Sequence, residues 1–436
     1  MAAPQPRHFQ NILERDKLLS SEDLTATSLP SLTESLKVLL RDSGKGHGLQ
    51  GTSVYTGLAG VAFVCLRIYE VLTRNQQLAQ QCMQHDPVWE GGAAGFLDTA
   101  LAILKVAQPA ASSHHIRQPR ITFLEGYPGV LALQAVCYHH KGMQQEALEA
   151  AKELELMTSL VISLPESECE VLYGRAGYLY ALCFVRRSLG PGAISASTLE
   201  TICHQILEDG AANVDADAAH EPGLNSWGLM YQWHYKQYLG GCHGLAGILY
   251  TLLLCGPDLE SAIARQDTKK RMRAAANSLM DACLTSGNLP PALGSKQDTL
   301  VQWCHGAPGL TQLLAEMSLE RWQPLFGDEL QARALSTAAR AAENIWDRGL
   351  LTKGLGLCHG ISGNAYALAA AARASGRDSD RQSAILFGTF MAAHWQQLYP
   401  VPSQPVSLYE GLGGAICFWL EMLDDVTEAR FPGFEL

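Results

Sequence analysis

HGLAG at 243–247, HGAPG at 305–309 and HGISG at 359–363 share one pattern, a Gly-x-x-Gly preceded by histidine and followed by an apolar run. Without the histidine the pattern occurs four more times, as TGLAG (56–60), EGYPG (125–129), YGRAG (173–177) and EGLGG (410–414). Successive first glycines are 69, 48, 70, 62, 54 and 51 residues apart. Each interval holds two helices of ordinary length and their connections. A single Gly-x-x-Gly is only a loop entering a helix, but seven in register specify a helical repeat. The off-register pair Gly92 and Gly95 is expected to open an outer helix.

The stretches after the glycines, such as VAFVCLRIY (61–69), ILYTLLLC (248–255) and NAYALAAAA (364–372), are apolar on nearly every face. Such helices are buried all round. Between them lie amphipathic segments: EALEAAKELEL (146–156) places Ala147, Leu148, Ala151 and Leu154 on one helical face with charges opposite. Strand signals are sparse. The predicted fold is therefore all-α, a seven-fold (α/α) toroid with a double ring of helices over residues 51–436. Residues 1–50 are expected as an extension, partly helical and packed on the toroid. Glycines lacking a Cβ let seven loops crowd one end, where inner-helix N-termini converge on the predicted active face. Three stretches read as loops within this domain: 209–226, acidic and helix-poor; 108–120, polar with two prolines; and 288–297, with Pro290 and Pro291.

The 436 residues are 47% hydrophobic, enough for a large core. A net charge of −11 sets a field that repels phosphate backbones, and the basic run 269–273 reads as a solvated helix face, so no nucleic-acid partner is expected. The best apolar run, 61–72, is cut by Arg67 and Glu70 and falls short of the ~20 residues of a membrane helix. MAAPQPRHFQ lacks the apolar core of a signal peptide. Twelve cysteines without an Asn-x-Ser/Thr acceptor fit reduced thiols. The expectation is a soluble cytoplasmic protein, compatible with nuclear or peripheral membrane association.

Cysteine and histidine together precede the first glycine in three repeats: Cys242-His243, Cys304-His305 and Cys358-His359. Superposed repeats would bring six soft donors to one mouth, a set that favours zinc over magnesium or calcium. Gaps of 62 and 54 residues exclude a zinc-finger knuckle. Spacing leaves open which of the six bind metal, and a single pair is equally read as a buried cysteine beside a packed histidine.

YTGLAG, LYGRAGYLYAL, LMYQWHYKQYLGGCHGLAGI, WCHGAPG, KGLGLCHGISGNAYA, SLYEGLGG and the terminal RFPGFEL resemble the eukaryotic LanC-like proteins, relatives of the bacterial lantibiotic cyclases, from about Tyr55 onward. The resemblance implies Zn2+ on Cys304, Cys358 and His359, with a fourth position open. His305 then becomes a supporting or packing residue. It implies that His243 is an acid or base beside the metal, with Glu170 assisting proton transfer. It implies glutathione as co-substrate, with Lys353 touching its carboxylate and the loop Pro400, Val401, Pro402 and Ser403 at the other contact. That loop carries no charged side chain, a departure from the family. Arg175 and Glu410 flank repeat glycines and are candidates to line the mouth, Arg175 for an anionic group; a salt bridge between repeats accounts for them equally. Cys242 stands where a small residue is usual and reads as a packing thiol, a redox-sensitive one or an extra donor.

The activity implied is zinc-dependent addition of a thiol to dehydroalanine or dehydrobutyrine residues of a peptide or protein, a glutathione transferase and lanthionine-cyclase-like reaction. The alternative is a non-catalytic zinc- and glutathione-binding adaptor with signalling-protein partners.

Overall fold

A computed structural model of the chain describes residues 6–16, 19–117, 120–165, 168–217, 226–256 and 266–436. In chain order the helices are α1 (Ser21–Gly44), α2 (Leu58–Arg74), α3 (Gln76–His85), α4 (Gly92–Arg117), α5 (Tyr127–His140), α6 (Gln144–Leu156), α7 (Thr158–Ile162) and α8 (Arg175–Leu189). They continue as α9 (Ala196–Asp217), α10 (Leu245–Leu254), α11 (Gln266–Asp281), α12 (Ala307–Met317), α13 (Gln323–Arg348), α14 (Ile361–Ser375), α15 (Asp378–Leu398) and α16 (Leu412–Asp425).

Seven of these, α2, α5, α8, α10, α12, α14 and α16, begin directly after the first glycine of a repeat, which serves as N-cap. Each packs on the next and α16 returns to α2, so they close an inner ring. Their nearly continuous apolar sequence is explained by this position: every residue of α12 is buried. The outer ring is α4, α6, α9, α11, α13 and α15, each against the inner helix before it. α16 has no helix of that kind after it. Its outer neighbour is α1, from the opposite end of the sequence, so the 1–50 segment supplies the seventh outer helix.

The ring is also closed through backbone hydrogen bonds at one end, the hub. Tyr55 N–H donates to Leu124 O, Phe123 to Gly177, Val171 to Cys242, Gly241 to Trp303, Cys304 to Cys358, Cys358 to Tyr409, and Tyr409 back to Tyr55, all at 2.9–3.3 Å. The second glycine of each repeat makes this possible. A Cβ on Gly247 would lie 1.9 Å from the Gly241 carbonyl oxygen, and one on Gly363 1.9 Å from that of Leu357. The first helical turn thus lies on its own hub segment, which only a residue without a Cβ permits.

The axial space away from the hub is filled by the last residues of the chain. Phe431 stacks on Trp303 at 5.2 Å and Phe434 on Tyr250 of α10 at 4.4 Å. Tyr180 of α8 donates to the Glu435 carbonyl at 3.2 Å, and Arg373 of α14 pairs with the Glu435 carboxylate at 2.6 Å. RFPGFEL is therefore a plug touching several inner helices.

Two expected loops are helix instead. α9 runs through Asp217, because Val214 is buried and Asp209 is used inside the structure, so the acidic residues read as loop formers lie within a packed helix; residues 218–225 fall outside the described residues. α4 continues to Arg117 with Pro109 inside it. Burial of Ala107 and Ala111 on either side outweighs the ~3 kcal/mol that an internal proline costs; residues 118–119 lie outside the described ones. Residues 288–297 form a loop as expected, and Gly92 opens an outer helix. Among the described residues no helix is long and apolar enough to cross a membrane.

Candidate metal and proton-transfer site

The residue before each first glycine occupies an equivalent place on the hub: Thr56, Glu125, Tyr173, His243, His305, His359 and Glu410 in ring order. The three histidines are therefore neighbours around one half of the mouth. The hub bond from Cys304 N–H to Cys358 O, 3.3 Å, brings the fifth and sixth Cys-His pairs side by side.

At that junction the sulfurs of Cys304 and Cys358 and a ring nitrogen of His359 all lie within 4.8 Å of one another. Both cysteines are buried and His359 is half-buried. The Gln302 side-chain amide donates to Cys304 Sγ at 3.0 Å, and the Tyr55 side chain hydrogen-bonds Cys358. The hydrogen bond from the Cys358 thiol, followed by that from His359, holds Cys304 far below the ordinary thiol range against the opposing effect of burial. The same bond pushes Cys358 up. Two thiols and an imidazole gathered this closely, one already stabilised as thiolate by its neighbours, form a donor set that fits zinc. Of the six donors left open by spacing, these three converge.

A second cluster sits on the adjoining repeats: Glu170, Cys242 and His243, again with donor atoms within 4.8 Å of one another. Glu170 is buried, not an exposed loop carboxylate; its oxygens accept from the backbone N–H groups of Leu172 and Tyr173 and from His243 Nδ1 at 2.8 Å. A carboxylate can only accept, so Nδ1 carries the proton and Nε2 is left for chemistry, with Cys242 Sγ 3.6 Å from it. The indole of Trp233 lies flat on the imidazole, centroids 4.0 Å apart and planes 3° apart. His305, between the clusters, is half-buried with its Nδ1 buried and unpaired, and burial lowers its pKa. Cys242 is buried, and burial pushes its thiol up.

The other expected contacts divide. Lys353 is exposed on the loop before Cys358, and a Cβ on the next residue, Gly354, would lie 3.2 Å from Pro402 Cδ. The structure thus brings the Lys353 loop against the loop of Pro400, Val401, Pro402 and Ser403, with Val401 half-exposed. Arg175 is a correction. Its side chain is 1% exposed and turned away from the mouth. It pairs with Asp209 of α9 at 2.9 Å and donates to the carbonyls of Ile162, Leu164 and Pro165, so it is a structural tie that no ligand reaches. Glu410 does line the mouth, in a 510 Å³ cavity shared with Ser53, Tyr55, Arg120, Glu125 and Tyr173. Arg120 pairs there with Glu125 at 2.8 Å. Tyr55, Gln302, Tyr173 and Trp233 were not foreseen. The register of the residue before the glycine would have found Tyr173; Trp233, in a connection outside the repeat, leaves no such signal.

Comparison with known proteins bears on family and fold. The profile of lanthionine synthetase C-like proteins matches residues 48–436. Glutathione S-transferase LANCL1 of Danio rerio is 32% identical over 413 residues, covering 94% of this chain and 92% of the relative. LanC-like protein GCL1 of Arabidopsis thaliana is 32% identical over 452 residues, covering 97% and 94%. Nisin cyclase superposes with a TM-score of 0.60 at 12% identity, covering 89% of this chain and 93% of that one, which shows the shared toroid. The chain belongs to the lanthionine synthetase C-like family.

Proposed function

We propose that this protein adds the thiol of glutathione to the β-carbon of a dehydroalanine or dehydrobutyrine residue in a peptide or protein. The observation that carries the reading is the adjacency, on consecutive repeats of one hub, of a cysteine- and histidine-bearing donor set and a carboxylate-oriented histidine. The name of the Danio rerio relative supports a thiol transferase.

Cys304, Cys358 and His359 would hold zinc. Bound there, the ion would supply the Lewis acidity that keeps an incoming thiol as thiolate at neutral pH. When the sulfur–carbon bond forms, the alkene π electrons pass to the α-carbon and its carbonyl as an enolate. His243 gives the proton from Nε2 to the α-carbon, while Glu170 stays bonded to Nδ1–H and stabilises the imidazolium before transfer. The thiol's own proton balances the addition, and the product is a thioether. Lys353, exposed on the loop before Cys358, would meet a carboxylate of glutathione.

The test is incubation with glutathione and a dehydroalanine peptide, followed by mass spectrometry for the adduct. The thioether is expected from the wild type and lost in Cys358→Ala. Equal activity in that variant sinks the role given to the donor set.

A further inference from the structure

Between α9 and α10 the chain makes a two-residue hairpin turn, closed by Trp233 N–H to Lys236 O at 2.9 Å and Lys236 N–H to Trp233 O at 3.1 Å. Its central residues, His234 (φ 47°) and Tyr235 (φ 62°), are the non-glycine residues with positive φ among those described. A turn with two left-handed residues normally takes Asn-Gly, because a bulky side chain is strained there. Strain of this kind persists where the surroundings hold it in place, and it gathers at functional sites.

Two aromatic residues of this turn face different ways. Trp233 points inward and covers His243 face to face; Tyr173 lies nearly parallel to it at 5.9 Å and 17°, and His234 meets it edge-on at 4.2 Å. Tyr235 points outward and is 99% exposed. Tyr173 is also a wall of the mouth cavity, so one aromatic array runs from the turn, across the proton donor, to the cavity. A tripeptide thiol needs no such extended surface. A peptide chain crossing the mouth does, and an exposed tyrosine, with only two side-chain torsions to order, offers it large contact area at low entropic cost.

We propose that the turn at 233–236 reads the peptide substrate: Tyr235 packs on residues flanking the dehydroamino acid, and Trp233 is a positioning residue that fixes the plane of His243. This rests on the thioether-forming function proposed above. Tyr235→Gly separates a recognition role from a structural one, because glycine suits the left-handed backbone while removing the ring.

The expected result for Tyr235→Gly is a thermal midpoint equal to or above wild type and unaltered zinc content. KM for a dehydroalanine peptide, and the Kd of the same labelled peptide by fluorescence anisotropy, rise roughly tenfold, with a much smaller change in kcat. N-acetyldehydroalanine amide, which lacks flanking residues, should show little discrimination between the two proteins. Trp233→Ala should lower kcat roughly ten- to a hundredfold with zinc retained, and Trp233→Phe should recover most of it. Unchanged peptide Kd and KM in Tyr235→Gly overturn the recognition role, and unchanged kcat in Trp233→Ala overturns the positioning role. The anisotropy measurement is independent of turnover. If the wild type forms no thioether yet binds the peptide more tightly than Tyr235→Gly does, the turn is upheld and the reaction is not; absence of wild-type binding overturns the turn.

Discussion

Arg175 offers the sharpest separation between two roles for one residue, a ligand contact and a structural tie. The geometry supports the second: guanidinium and carboxylate are 1% and 3% exposed, 2.9 Å apart, and the two terminal nitrogens also donate to three carbonyls. In Arg175→Ala the carboxylate of Asp209 is left buried without its cation and the 162–165 carbonyls lose their donor. Breaking one side of such a pair costs about 3–5 kcal/mol. With an unfolding entropy of roughly 2 cal/mol/K per residue, a chain of this length loses about 1 °C per 0.9 kcal/mol, so the midpoint should fall by about 3–6 °C. Differential scanning calorimetry at fixed scan rate measures this. Arg175→Leu combined with Asp209→Leu should regain part of the loss, with a coupling of about 1–3 kcal/mol, because no charge is then stranded while the carbonyls stay unpaired. KM for glutathione should stay near wild type. A midpoint within 1 °C of wild type together with a several-fold rise in that KM would refute the assignment and return Arg175 to the mouth.

Zinc content by plasma mass spectrometry should be near one per chain in the wild type and fall close to zero in Cys304→Ala, since two donors remain of three. Glu170→Gln should lower kcat roughly a hundredfold while leaving zinc in place, because the amide no longer stabilises an imidazolium at His243. Gly247→Ala should be strongly destabilising, by more than about 3 kcal/mol, since its Cβ meets the Gly241 carbonyl at 1.9 Å; Gly95→Ala, with no atom within 4 Å, should be stabilising by about 0.5–1 kcal/mol. Thermal midpoints of the two variants decide this together.

The architecture was readable because its cause lies in the backbone. A helix pressed on its own hub segment admits only glycine, and that demand repeats seven times at visible spacing. The Cys-His pairs were readable for the same reason, being tied to those glycines, although spacing alone left six donors. What escaped was decided by tertiary packing. Pro109 and the Asp- and Asn-bearing end of α9 carry local loop signals that burial of Ala107, Ala111 and Val214 overrides. The position of Arg175 is legible as the first residue of a helix, but its direction depends on Asp209, thirty-four residues on and on another helix. Trp233 belongs to a connection with no counterpart in the other repeats, so no register points to it.

The hub explains why metal chemistry can be placed on this scaffold without the metal being needed to build it. Cys304 and Cys358 are adjacent because Cys304 N–H bonds Cys358 O, one link of a seven-membered backbone ring that also closes through repeats without a Cys-His pair. The link sets the two cysteines side by side through their backbone, and the residue preceding each glycine varies while the ring is kept, as Thr56, Glu125, Tyr173 and Glu410 demonstrate. In a zinc finger the ion closes the fold, so binding energy is folding energy. If the backbone ring orders the donors by itself, an ion binding them would meet a pre-formed site. Zinc removal should therefore lower the midpoint by the mass-action term of a bound ligand and leave the helical content intact. Loss of helical circular dichroism on chelation, in the manner of a zinc finger, would show that the backbone ring alone does not hold the hub together.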